Sequence, residues 1–213
     1  MRIGGKGLKN TKVVFQKTGK KEEIKKEYQI LKQLEQGVRQ QDSYFPKVYR
    51  YEEFEDKAFL LMEKIQGETL LELSNKRKLK REEWLYWLKE TAKGISCLHS
   101  QRPAILWCDC KPENLMIDKE GHIYLIDFNH ACLLLKEVIE IRYGTKSYCA
   151  PEQIEGKPFD ERTDIYGFGA TFLQMPLKWY WFSIQKILKK CVAKKPEHRF
   201  QTMEELLYEL KKL

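Results

Sequence analysis

ILWCDCKPENLMI, residues 105–117, and LIDFN, residues 125–129, decide how this 213-residue chain is read. Ile105 to Trp107 and Leu115 to Ile117 are strand-like apolar runs, so Asp109 to Asn114 is expected to be the loop of a hairpin between them. Ile123 to Ile126 reads as a third short strand that ends at Asp127. A carboxylate and an amide at the end of one hairpin, with a second carboxylate at the end of the next, make an oxygen-rich site suited to a hard cation such as Mg²⁺. Lys111 adds a point charge that can stabilise a phosphoryl oxygen, and Asp109 is left to accept a proton from a hydroxyl.

Outward from that stretch the chain divides near residue 66. Upstream come three glycines (Gly4, Gly5, Gly7), a β-branched run Val13-Val14-Phe15, and a Lys/Glu segment with Ile24, Tyr28, Leu31 and Leu34 at three- and four-residue spacing. That spacing predicts an amphipathic helix over Glu22 to Gln36. Phe45 to Phe54 and Lys57 to Glu63 read as two strands joined at Glu55-Asp56. After Gly67 the pattern turns helical: Trp84, Leu88, Thr91, Ile95 and Leu98 share one face, and Ile165 to Leu173, Ile184 to Val192 and Met203 to Leu213 are further helices. The expectation is an α+β chain forming one domain, with a reduced strand-rich part over residues 1–66 and a larger helical part over 67–213. No internal repeat or low-complexity linker interrupts it.

Composition fits an ordinary globular protein, at 42% apolar and 33% charged, with no apolar run able to span a bilayer and no secretory signal in Met1 to Asn10. The net charge of +8 is spread over Lys20–Lys26, Lys76–Arg81 and Lys186–Lys195, each beside helical periodicity. Solvated helix faces account for it, which speaks against a nucleic-acid partner. Six cysteines, at 97, 108, 110, 132, 149 and 191, lack paired metal spacing and read as free thiols of a cytoplasmic protein.

At its deciding stretch the chain resembles the protein kinase family. The signature H-R-D-L-K-P-E-N stands here as Trp107-Cys108-Asp109-Cys110-Lys111-Pro112-Glu113-Asn114, and D-F-G as Asp127-Phe128-Asn129. Gly144 to Glu152 looks like the end of an activation segment with A-P-E intact, and Asp164 to Gly169 is similar to the buried helix that anchors the catalytic loop. Pro196 to Arg199 resembles the place where an arginine pairs with the A-P-E glutamate, which predicts an ion pair between Glu152 and Arg199. The resemblance implies a kinase-like bilobal fold, ATP and Mg²⁺ as cofactors, and a protein substrate or a regulatory protein partner. By position it makes Asp109 the catalytic base, Lys111 the phosphate-contacting lysine, and Asn114 and Asp127 the Mg²⁺ ligands. Lys111 together with Thr145 is similar to the serine/threonine class. Leu60 to Ile65 resembles the strand leading to an adenine site, with Met62 as gatekeeper and Glu63 and Ile65 presenting backbone groups to the base. Val14-Phe15-Gln16-Lys17 is the best match to V-A-I-K, and Glu27 to the helix glutamate that pairs with its lysine.

Several positions depart from the pattern. Trp107 and Cys108 replace His-Arg, and no Ser, Thr or Tyr lies between Phe128 and Arg142, which argues against control by phosphorylation there. Strand periodicity puts Phe15 on the face of Lys17, towards an adenine pocket where the family has a small Ala. The spacing from Lys17 to Glu27 is short, and Lys12 is a rival lysine. A second register makes Gly5-Lys6-Gly7 a loop followed by a strand over Val13 to Phe15, and then lacks the lysine-bearing strand altogether. Between Phe172 and Ile184 the chain is abbreviated and holds Trp179-Tyr180-Trp181-Phe182, read either as internal packing or as a partner-binding or homodimerisation patch. Two functions follow: a serine/threonine protein kinase of minimal size, or a pseudokinase serving as a binding or regulatory scaffold.

Overall fold

The computed structural model describes residues 14–37, 44–135, 145–175 and 182–213. Strand β1 (Val14–Lys20) runs without a connecting loop into helix α1 (Lys21–Gly37), whose Ile24, Ile30, Leu31 and Leu34 are buried. Strands β2 (Val48–Phe54) and β3 (Lys57–Glu63) form a hairpin, and the antiparallel sheet has the order β1-β3-β2. β2 starts three residues later than the apolar pattern predicted. Pro46 has no N–H for a ladder, and Phe45 leaves the sheet to pack its ring edge-on against Phe128, 5.8 Å between centroids.

The larger part is helical. A short strand β4 (Gly67–Thr69) leads into α2 (Leu70–Lys76), capped by the Thr69 hydroxyl and Glu72, and then α3 (Arg81–His99). Helices α4 (Pro151–Ile154), α5 (Arg162–Gln174), α6 (Phe182–Cys191) and α7 (Met203–Lys211) complete it. Ile165, Phe168 and Phe172 of α5 are wholly buried, which explains its weak amphipathicity: it runs through the interior. Buried residues from α1 and the sheet through to Leu210 of α7 form one continuous apolar cluster.

Between the two parts lie β5 (Ile105–Leu106), β6 (Leu115–Asp118), β7 (Ile123–Leu125) and β8 (Cys132–Leu133). Here the expected first hairpin is corrected. β5 does not pair with β6; it pairs with β8, Leu106 opposite Cys132, while β6 joins β4 and β7 in a separate sheet. The physical reason lies in the connecting loop, whose 3₁₀ turn Pro112–Asn114 and left-handed Cys108 (φ 65°) redirect the chain away from a hairpin return. All six cysteines are free thiols. No helix among the described residues is long and apolar enough to cross a membrane.

Candidate functional site

Tight local geometry brings the expected polar residues together. Because α1 follows β1 directly, Lys17 and Glu27 face each other in spite of their short spacing: the Lys17 ammonium lies 2.8 Å from Glu27 Oε2 and 3.0 Å from Oε1. The same ammonium donates to Asp127 Oδ1 at 2.9 Å, across 110 residues of sequence. β1 pairs with β3 along its whole length, Lys17 opposite Leu60, so the lysine-bearing strand is present and the second register is not adopted. Lys12 and the three early glycines lie outside the described residues.

Charge balance at this junction follows from burial. Desolvation works against the Lys17 ammonium, but Glu27 and Asp127 outweigh it and hold its pKa above the usual lysine value. Burial also works against the Asp127 carboxylate, and Lys17 overcomes it, leaving that pKa below the usual aspartate value. Glu27 is almost fully buried, so desolvation prevails there over the neighbouring ammonium and its pKa is raised.

Asp109, 3% exposed, sits in the loop after β5 with donors on both carboxylate oxygens. Lys111 Nζ (2.7 Å) and Asn114 Nδ2 (2.9 Å) donate to Oδ2, and the Thr145 backbone N–H (3.1 Å) donates to Oδ1. Lys111 also donates to the Thr145 hydroxyl at 2.9 Å. Asn114 Nδ2 further donates to the Asp109 carbonyl, so both amide hydrogens point at Asp109 and the amide oxygen is the Asn114 atom left for a cation. Asp127 and Asn114 are brought to one place because Ile126 N–H donates to the Asn114 carbonyl.

A cavity of about 340 Å³ joins these groups, lined by Lys17, Glu27, Met62, Glu63, Ile65, Asn114 and Asp127 from the expected set. Phe15 lines it too, as its strand face predicts, and stays 47% exposed. Met62, the expected gatekeeper, is 6% exposed, packs in the core and borders the cavity. Asp109 and Lys111 do not line the cavity but stand beside it through Asn114. Its volume lies at the low end for small-ligand sites and suits a planar base with a polar tail reaching Lys17, so the residues present fit Mg²⁺-ATP. A larger, more open groove of about 910 Å³ between α6 and α7 holds none of these groups.

Sequence reasoning missed Met116, Ile126 and Thr145 as site residues. Met116 is half-exposed between buried Leu115 and Ile117, so strand alternation turns it towards the cavity, a signal readable from sequence. Thr145, noted only as a class marker, contacts Asp109 across 36 residues and carries no local signal.

The anchoring beneath the site matches expectation. Arg199 forms a two-pronged ion pair with Glu152, Nη1 to Oε1 at 2.5 Å and Nη2 to Oε2 at 2.8 Å, and Asp164 accepts the backbone N–H groups of Trp107 and Cys108 at 2.8 and 2.7 Å. Of the aromatic patch only Phe182 is described; it is 70% exposed, and Trp179 to Trp181 lie outside the described residues.

A family model described as the protein kinase domain matches residues 6–211. The chain is 42% identical over 89 residues (40% of its length) to a G-type lectin S-receptor-like serine/threonine-protein kinase of Arabidopsis thaliana, and 33% identical over 122 residues (55%) to cAMP-dependent protein kinase type 3 of Saccharomyces cerevisiae. It is 30% identical over 123 residues (56%) to serine/threonine-protein kinase Sgk2 of Mus musculus. These matches cover 11%, 29% and 33% of those relatives' own lengths, so the chain spans a third or less of each.

Proposed function

The chain belongs to the protein kinase family, and from that premise we propose that it is an active serine/threonine protein kinase that uses Mg²⁺-ATP. The observation that carries this reading is the double contact of Lys17 with Glu27 and Asp127, beside an Asp109 fixed on both oxygens. A lysine held by a helix glutamate beside a candidate metal-ligating aspartate is the arrangement that phosphoryl transfer requires in this family.

When bound, Mg²⁺-ATP supplies the γ-phosphoryl group, whose bond to the ADP oxygen breaks as a bond to a Ser or Thr hydroxyl oxygen forms. Asn114 and Asp127 would hold the metal, and Lys17 would balance phosphate charge while Glu27 keeps its ammonium in place. Glu63 and Ile65, on the segment leading out of β3, would meet the base edge, with Met62 behind them. Asp109 accepts the proton of the substrate hydroxyl, and Lys111, already on its Oδ2, steadies the carboxylate and can pass to a phosphoryl oxygen. Thr145 holds the other carboxylate oxygen, which orients the base.

The test is phosphotransfer from radiolabelled ATP to the chain itself and to generic Ser/Thr substrates, with Asp109→Asn as control. Loss of a positioned base lowers the rate about 10²- to 10⁴-fold. A second reading, a pseudokinase serving as a binding or regulatory scaffold with weak or no phosphotransfer, is favoured by one observation, the aromatic Phe15 at the cavity in place of a small residue. Absence of turnover in the unaltered chain, with no effect of Asp109→Asn on any residual signal, would leave the scaffold reading standing.

A further inference from the structure

Trp107 is fully buried, yet its indole nitrogen is 3.2 Å from the backbone carbonyl of Asp127, to which it donates. Asp127 has φ 61°, a left-handed conformation uncommon for a residue with a side chain, so something must hold it there. The indole ring also lies 6.2 Å from the buried ring of Phe128, the next residue. On its other side, the backbone N–H of Trp107 is fixed at 2.8 Å by the Asp164 carboxylate of α5, which also contacts His99 Nε2 at 2.9 Å. A rigid chain of contacts thus runs from the central helix, through the peptide and ring of Trp107, to the backbone that aims the Asp127 carboxylate at Lys17.

We infer that Trp107 is a positioning residue, whose indole N–H holds the left-handed Asp127 backbone and thereby directs the Asp127 carboxylate. The inference rests on the reading of Asp127 as a Mg²⁺ ligand. It turns a departure from the family pattern into a working substitute: a ring N–H donor is retained at the position where the resemblance has histidine. It also separates Trp107 from Cys108, whose thiol lies 3.9 Å from the Cys132 thiol in a small apolar cluster.

Three variants separate the hydrogen bond from simple packing. Replacement of Trp107 by 3-benzothienylalanine keeps the ring shape and removes only the N–H; Trp107→Phe removes the donor with some volume; Trp107→His is smaller still but restores a ring donor. Two readouts are taken: the Mg²⁺ concentration for half-maximal ATP binding by calorimetry, and amide hydrogen exchange at Phe128 and Asn129 without nucleotide. Those amides donate to Glu27 Oε1 and Asp127 Oδ1, so their protection reports the local geometry directly. The expected result is a five- to tenfold higher Mg²⁺ requirement and faster exchange for the benzothienyl and Phe variants, the scale of one lost hydrogen bond, with Trp107→His within about twofold of the original chain. The inference is overturned if the benzothienyl variant matches the original in both readouts, or if Trp107→His is worse than Trp107→Phe, as packing alone requires. An unaltered chain with no Mg²⁺-dependent ATP binding overturns the functional reading instead, and the exchange data then decide the inference without it.

Discussion

Phe15 stands two residues before Lys17 on the same face of β1, opposite Met62 in the ladder, and meets the cavity without closing it. An aromatic face at that place can stack on a planar base, an interaction worth about 1–3 kcal/mol. Phe15→Ala is therefore expected to weaken ATP binding about 5- to 150-fold by calorimetry; tighter binding would identify the ring as an obstruction. Lys17 gives a second residue-scale prediction. Its folded pKa is raised, so its contribution to stability is complete below the unfolded value of 10.5 and is lost as pH rises through the folded one. The urea midpoint of the unaltered chain should exceed that of Lys17→Met by a constant amount at neutral pH, and the difference should shrink only above pH 10.5. Asp109, Lys111, Asn114 and Asp127 were legible in sequence because they cluster within two short motifs. Thr145 was not legible as a site residue, because only folding puts its N–H on Asp109.

Helices and strands were more legible in kind than in pairing. The last three helices fall within three residues of their predicted spans, since apolar spacing reports which face is buried whatever it is buried against. The partner of β5 was misread because a two-residue strand carries no register information of its own. Two element-scale predictions concern how helices are fastened. Arg199 is fully buried on Glu152 with further bonds to the Ala193, Arg162 and Lys194 carbonyls, so Arg199→Met strands a buried carboxylate and should cost about 3–5 kcal/mol in urea unfolding. Gly169 of α5 lets α6 approach closely: a Cβ there would lie 2.5 Å from the Cys191 Cβ. Gly169→Ala should push the two helices apart and cost about 1–3 kcal/mol by the same measurement.

At the scale of the molecule, one apolar cluster runs from α1 to α7 beneath both parts, and the cavity lies where the sheet meets the helical body. Unfolding is expected as a single calorimetric transition, with equal calorimetric and van't Hoff enthalpies. ATP with Mg²⁺ at 100 times its Kd should stabilise the chain by about 2.7 kcal/mol, read as a higher Tm, and Asp127→Asn should remove the part that depends on Mg²⁺. The sequence by itself determined the α+β class, the five longer helices and the polar loop motifs, because apolar periodicity and clustered residues are local properties of the chain; the distant pair Glu152–Arg199 followed only from the family resemblance. The tertiary structure alone decided that Lys17 reaches both Glu27 and Asp127, that β5 pairs with β8, and that Trp107 holds the Asp127 backbone. Those three depend on the angle at which β1 enters α1 and on which buried donor meets which carbonyl. Only the packed core fixes such relations, since a buried polar group left without its partner is too costly to tolerate.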